Sequence, residues 1–381
     1  MTEKLYYKDA YIKEFTARVI SSVPFKDGYD TVLDRTAFFP EEGGQYSDKG
    51  RIADARVLDV REKDGVIHHY TDRELSPGED VACALDFDER YEKMQCHTAE
   101  HILSGIIHSL FGLDNVGFHL GADEVTMDVS APLSRSQLDR VEELANEAVF
   151  KNIPVECSFP REDEIPSLAF RAKADSYEDL RVVKIGEVDA CACCAPHVNS
   201  TGEIGLIKIL DFASLRGGIR IRITAGRRAV RYVSMLYKSA EEISGMLSVP
   251  KSDISGAVRK LLSDHTALKA EFSSYKTADM TRRAEALEYD ENDRLFIFDA
   301  ASVADMIAFS NAAISKCGGM LILLSGKDGD YKYVISSLHT DLRAKAPEIN
   351  KSLLGRGGGK PNMIQGSFAA TADEIRRYFN L

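Results

Sequence analysis

The sequence predicts an α+β protein of several domains: an N-terminal small β-barrel or sandwich, a mixed α+β domain, a long helical linker and a C-terminal α/β domain. Three observations predict it. Residues 1–87 carry short runs in which apolar and polar side chains alternate, cut at close intervals by turn residues. From residue 88 the apolar period becomes that of a helix. Beyond Pro250 a polar segment with a 4-3 apolar rhythm leads into short apolar strands.

The elements follow in order. Phe15-Thr16-Ala17-Arg18-Val19-Ile20 and Tyr29-Asp30-Thr31-Val32-Leu33 alternate as half-buried strands do, and Lys26-Asp27-Gly28, Lys49-Gly50, Lys63-Asp64-Gly65 and Ser76-Pro77-Gly78 punctuate them. Residues 88–245 form the second domain. A helix is predicted over 89–111, with Met94, Ile102, Ile106 and Leu110 on its apolar stripe and Gly112 as its stop. A second spans 134–151, striped by Leu138, Val141, Ala145 and Ala148 and ended before Pro154. Strands return near 182–185 and 204–212, and a helix covers 227–246. The linker, 246–290, takes Ser252 as N-cap and repeats Ile254, Val258, Leu261, His265, Leu268, Phe272 and Tyr275, a heptad seam. Residues 291–381 read as a separate α/β domain, with strands at 294–298, 320–324 and 331–335 and a glycine cluster at 355–361.

The bulk numbers are those of a soluble globular chain. It has 381 residues and a net charge of −12, which argues against nonspecific nucleic-acid binding by the whole surface. No apolar run approaches the ~20 residues of a membrane helix, and Met1-Thr2-Glu3-Lys4-Leu5 lacks the order of a signal peptide. A cytoplasmic location is expected. One stretch departs from the acidic balance: six arginines at 216, 220, 222, 227, 228 and 231, with no acid between Ser214 and Arg231. A local phosphate-binding face is the functional reading, a solvated face the bland one.

The chemistry concentrates in two pairs. His97 and His101 stand at i, i+4 on the first predicted helix, so both project from one face. Cys193 and His197 repeat that spacing nearly a hundred residues later, inside a cluster that also holds Cys191 and Cys194. Crowded cysteines in a reducing compartment favour metal binding over bridging. Three imidazoles and one thiolate suit zinc, which accepts mixed nitrogen and sulfur ligands. Spacing alone leaves open which cysteine binds. His97-x-x-Glu100-His101 also spells the inverted zincin signature, with Glu100 as general base of a metallopeptidase. That reading leaves the Cys193/His197 pair and the terminal domains without a role. A third feature, Thr36-Ala37-Phe38-Phe39-Pro40-Glu41-Glu42-Gly43-Gly44-Gln45, sets adjacent glycines where a backbone can approach a ligand closely.

Taken in order, these residues resemble the editing region of alanyl-tRNA synthetase and its free-standing relatives, the AlaX proteins. Thr36 to Gln45 looks like the family's glycine-rich motif, and His97-x-x-x-His101 and Cys193-x-x-x-His197 match its two zinc motifs. Thr201-Gly202-Glu203-Ile204-Gly205-Leu206-Ile207-Lys208 resembles the segment after the second. Gly357-Gly358-Gly359-Lys360-Pro361-Asn362 resembles the glycine-rich end of the DHH-associated C-terminal domain. The likeness spans nearly the whole chain and so points to the long form of AlaX. It implies an N-terminal β-barrel, a zinc-containing editing domain and a DHH-associated C-terminal domain. The synthetases read Cys-Gly-Gly-Thr-His where this chain reads Cys-Cys-Ala-Pro-His; both ligands survive, and Pro196 stiffens the loop.

Because the chain begins at the barrel, without an aminoacylation domain ahead of it, the resemblance implies trans editing: hydrolysis of the ester in mischarged tRNA(Ala), chiefly seryl and also glycyl. Zn²⁺ would be bound by His97, His101, Cys193 and His197. Thr36 is expected to select serine by hydrogen-bonding its hydroxyl, and Gln45 to orient the substrate. Gly43, Gly44, Arg216, Arg220, Gly358 and Lys360 are expected to contact the RNA, and the C-terminal region to form a homodimer. A nonenzymatic RNA-binding module with structural zinc is the alternative from a different class.

Overall fold

Alternation along the first 85 residues has a direct consequence: each strand has one apolar face, and a sheet that closes on itself buries all of them and leaves no edge. In the computed structural model, which describes residues 1–122, 124–165, 168–171 and 180–381, this region forms strands β1 (Glu3–Lys4), β2 (Glu14–Phe25), β3 (Gly28–Leu33), β4 (Arg35–Thr36), β5 (Gly50–Ile52), β6 (Ala55–Lys63), β7 (Val66–Thr71) and β8 (Asp80–Leu85). Six of them close into a barrel in the order β2-β3-β7-β6-β5-β8, antiparallel throughout. Ala17, Val19, Leu33, Ile52, Val57, Val60, Ile67 and Leu85 fill it. The short β1 pairs in parallel with β4. Between β4 and β5 the glycine-rich segment leaves the barrel wall.

The mixed region follows: α1 (Phe87–Phe111), β9 (Asn115–Leu120), β10 (Val125–Val129), α2 (Arg135–Phe150), β11 (Val155–Ser158), β12 (Val182–Ile185), β13 (Asp189–Ala192), β14 (Ile207–Leu215), β15 (Gly218–Ala225) and α3 (Gly226–Leu247). Helix α1 ends at Gly112, and α2 opens on Ser134, whose hydroxyl closes a capping box with Gln137. Every residue of α1 from Lys93 to Ile107 is buried. Such a helix is enclosed on all sides, so its polar members need partners. A four-stranded antiparallel sheet, β14-β15-β10-β9, packs its Met127, Ile221 and Ile223 with Met94, Leu103, Leu138 and Val141 of the helices. A three-stranded sheet, β11-β12-β13, delivers the second ligand loop. Gly105 lets α1 approach that sheet: a Cβ there would stand 2.3 Å from Val188 O.

Strands β9, β10, β13 and β15 were not among the sequence expectations. The last was legible, since Ile219-Arg220-Ile221-Arg222-Ile223 alternates at a period of two, with the isoleucines buried and the arginines exposed.

The chain divides into two compact units, Met1–Glu242 and Ile243–Leu381. The second contains α4 (Ile254–Glu285), β16 (Arg294–Phe298), α5 (Val303–Ala313), β17 (Leu321–Lys327), β18 (Asp330–Ser336), α6 (Leu342–Ser352), β19 (Gly355–Lys360), β20 (Met363–Phe368) and α7 (Ala372–Phe379). Its sheet runs β16-β17-β18-β20-β19, with only β16 and β17 parallel. Alternation sorts the two faces. Leu321, Leu323 and Val334 meet Met280 and Ala284 of α4 and Met306 and Phe309 of α5. Ile322, Leu324, Tyr333 and Ile335 meet α6 and α7. The glycine cluster is an edge strand, β19, which carries Gly358 and the exposed Lys360. Along α4 the seam residues Val258, Leu261, Leu268, Phe272 and Tyr275 are exposed.

Candidate metal centre

Helix α1 stacks His97 and His101 one turn apart, ring centroids 5.5 Å from each other. The loop leaving β13 brings Cys193 and His197 to them. Cys193 Sγ lies 3.5 Å from His97 Nε2 and 3.4 Å from His197 Nε2. One ligand atom from each of the four residues falls within 4.8 Å of the others. All three histidines are buried.

Each imidazole is oriented from behind by a different partner. His97 Nδ1 donates to Gln45 Oε1 at 2.9 Å, His101 Nδ1 to Asp189 Oδ2 at 3.0 Å, and His197 Nδ1 to Thr98 Oγ1 at 3.1 Å. The Thr98 hydroxyl itself donates to Met94 O at 2.8 Å, so it accepts from the ring. With Nδ1 protonated, the Nε2 lone pairs of His97 and His197 face Cys193. Asp189 is held in turn by a bidentate Arg171 at 2.8 and 2.9 Å. Burial pushes His197 down to about 3, which keeps it neutral. One cysteine sulfur among three oriented, buried imidazoles is the donor set of a zinc site.

The structure separates the three clustered cysteines. Cys193 joins the histidines, and Cys191 stands with His101 and Asp189. Cys194 lies against the backbone of Gly43, its thiol pushed up by burial. Glu100 is buried, and one of its oxygens accepts from both Ser104 and Asn115. That oxygen is not available as the base that a peptidase reading requires.

The glycine-rich segment borders the ligands. Gly43 and Gly44 adopt φ of 61° and 81°, and a Cβ on Gly44 would stand 2.2 Å from Phe118 O. That close approach lets Leu120 N donate to Gly44 O at 2.7 Å and sets Gln45 on His97. Gln45 is fully buried, and among the described residues its Nε2 has no hydrogen-bond partner. Three charged residues that sequence reasoning missed fix the segment. Asp48 Oδ2 accepts from Phe39 N and Arg90 Nε, both at 2.7 Å, and Lys93 Nζ stands 3.0 Å from Asp48 Oδ1. Arg90 also donates to Ala37 O and Lys93 to Ser47 O. The first turns of α1 thus grip both ends of the segment.

Two of the expected site groups have specific surroundings. Thr36 is fully buried, and its hydroxyl donates to His69 Nε2 at 2.9 Å and accepts from Phe38 N at 3.1 Å. The arginine run is also less bare than its local sequence: Arg220 pairs with Asp128, Arg222 with Asp211, Arg227 with Asp88, and Arg228 and Arg231 with Glu92. The compensating acids lie outside the run: Asp211 on the paired strand β14, and Asp128, Asp88 and Glu92 on β10 and α1. Arg216, at the turn between β14 and β15, is exposed with no ion pair among the described residues.

The fold and this site define a class of protein. The profile described as "Threonyl and Alanyl tRNA synthetase second additional domain" matches residues 180–225, which carry the second ligand pair. The "Alanyl-tRNA editing protein AlaX-L" of Pyrococcus horikoshii is 30% identical over 98% of this chain and 96% of its own length. The chain belongs to that family of alanyl-tRNA editing proteins. The "Alanyl-tRNA editing protein Aarsd1" of Rattus norvegicus is 26% identical over 95% of this chain and 93% of its own. An "Alanine--tRNA ligase" of Halorubrum lacusprofundi is 28% identical over 96% of this chain but only 42% of the ligase. Among the described residues, no helix is long and apolar enough to cross a membrane.

Proposed function

We propose that this chain is a trans-acting, cytoplasmic deacylase that hydrolyses the ester of tRNA(Ala) mischarged with serine or glycine. The observation that carries the reading is the unpartnered amide of Gln45, fully buried and bonded through its other atom to a histidine of the metal cluster. Membership in a family whose named relatives edit alanyl-tRNA supports it.

His97, His101, Cys193 and His197 would hold Zn²⁺. When bound, the ion supplies Lewis-acid polarisation of an ester oxygen, or positions it. The chain's own groups do the selecting. A buried N–H without a partner costs about 1–3 kcal/mol. A seryl hydroxyl that reaches Gln45 Nε2 recovers this, whereas the methyl of alanine does not, so the contact rewards the seryl product. Gly43 and Gly44 let the segment turn tightly enough to carry Gln45 to His97, and remain our assignments for substrate contact. Arg216, Arg220, Gly358 and Lys360 remain our assignments for RNA contact, and the exposed α4 seam for a homodimer.

The test is deacylation of seryl-, glycyl- and alanyl-tRNA(Ala) by the purified protein, with Gln45→Glu beside it. That variant keeps an acceptor for His97 Nδ1 and removes the donor. Serine-over-alanine preference is expected to fall about 10–100-fold with metal content unchanged. Retained preference would remove Gln45 from the selection. No deacylation of any substrate would leave the RNA-binding module as the better account, and cleavage of peptides would favour the peptidase.

A further inference from the structure

Arg181 is a buried cation for which the metal reading, as it stands, has no use. Its residue is 6% exposed and lies just before β12, in register with the ligand loop. Its carbonyl accepts from Cys193 N at 3.0 Å. Its side chain turns back over the same loop, where Nη1 donates to Cys193 O at 2.9 Å and to Ala195 O at 2.8 Å. The guanidinium stands 5.5 Å from the centre of the Tyr7 ring. Among the described residues no carboxylate pairs with it, and its Nε is buried without a partner.

A charge buried without a counter-charge is costly. It persists where the surroundings give it something to do, and here it holds two carbonyls of the four-residue step between Cys193 and His197. Those carbonyls bracket the Cys193–Ala195 turn. Releasing them would let the turn relax and carry Cys193 Sγ away from the imidazoles. Lysine at this place would keep the charge but could not present the planar, multiply donating head that reaches both oxygens.

We propose that Arg181 is the positioning residue of the metal loop, presetting the Cys193–His197 step so that Cys193 Sγ stands beside the histidines before any ion arrives. The proposal rests on the four-ligand reading above. Preorganisation of this kind acts on affinity, because a loop already in place loses little freedom on binding.

The test is zinc affinity of the full chain by competition with a chromophoric chelator, for wild type, Arg181→Lys and Arg181→Gln. Cobalt(II) is titrated in parallel to read the thiolate-to-metal absorption band. Affinity is expected to drop about 10–100-fold in Arg181→Gln and less in Arg181→Lys, with the thiolate band weakened or shifted. Circular dichroism and urea unfolding of the metal-free proteins show whether each variant folds. If Arg181→Gln does not, Tyr7→Leu, which strips the ring from beneath the guanidinium and spares its hydrogen bonds, is expected to give a smaller loss of the same kind. Folded variants with wild-type affinity and an unchanged cobalt band would overturn the proposal. A wild-type protein that binds neither metal would instead overturn the four-ligand reading.

Discussion

Replacing Thr36 with valine separates a substrate contact from a barrel contact. Valine matches threonine in shape, so packing inside the barrel is preserved and only the hydroxyl is lost. Two buried groups then lack partners: His69 Nε2, which accepted from it, and Phe38 N–H, which donated to it. His69 cannot turn to a new partner, because its Nδ1 is already bonded to Thr31 O at 3.1 Å. At about 1–3 kcal/mol for each unsatisfied group, the variant is expected to lose roughly 2–5 kcal/mol. In a unit of this size that lowers Tm by roughly 5–15 °C. The loss has a pH signature. Burial pushes His69 down to about 4, below its unfolded value near 6.5. The unfolded chain therefore binds the extra proton, and wild-type stability falls as pH drops from about 6.5 to about 4, by about 3 kcal/mol. The Thr36 hydroxyl favours the neutral ring, so without it the folded-state value rises and this acid sensitivity shrinks. Melting curves between pH 4 and 8, beside seryl- and alanyl-tRNA(Ala) deacylation, make the measurement. A variant as stable as wild type that has lost serine-over-alanine discrimination would refute the barrel assignment and return Thr36 to the substrate.

Two further outcomes are expected. Asp48→Asn removes the carboxylate that faces two fully buried cations, Arg90 and Lys93. It should cost about 3–5 kcal/mol at pH 7, read from urea unfolding. Burial alone would raise the Asp48 carboxyl, but Arg90 and Lys93 hold it below the usual range. Its contribution is therefore present above about pH 4 and lost as pH falls further, and the variant should converge on wild type there. On α4, Leu261→Glu with Leu268→Glu places charge on two exposed seam positions. Sedimentation of the wild type should give a dimer that the double variant converts to monomer; a wild-type monomer would end the homodimer reading.

The ligands were legible because a helix repeats its face every three or four residues, so His97 and His101 declare themselves within five positions. What orients them was not. Gln45, Asp189 and Thr98 lie 52, 88 and 99 residues from the rings they hold. No local period records such a pairing. The same limit explains the arginine run, whose countercharges sit on other strands and on α1, and Thr36, whose partner His69 lies 33 residues on, in β7. Charged residues on the buried helix were the available clue. A lysine and an arginine at the start of an otherwise apolar stripe need an acid from elsewhere, and Asp48, four residues beyond the glycines, was the nearest unexplained one.

The arrangement implies an order of dependence. Gln45 meets His97 only if the glycine-rich segment is anchored at Asp48, and Cys193 meets the imidazoles only if its loop is held at Arg181. One clamp fixes the glycine-rich segment and the other the Cys193–His197 loop, and they share no residue. Variants at Asp48 should therefore disturb discrimination and stability before metal affinity, and variants at Arg181 the reverse. Combining Asp48→Asn with Arg181→Gln should give additive losses in zinc affinity if the two clamps are independent. Strong non-additivity would mean that the segment and the loop are coupled, through His97, which is bonded to the segment and faces Cys193, or through the direct packing of Phe39 on Ala195 and of Gly43 on Cys194.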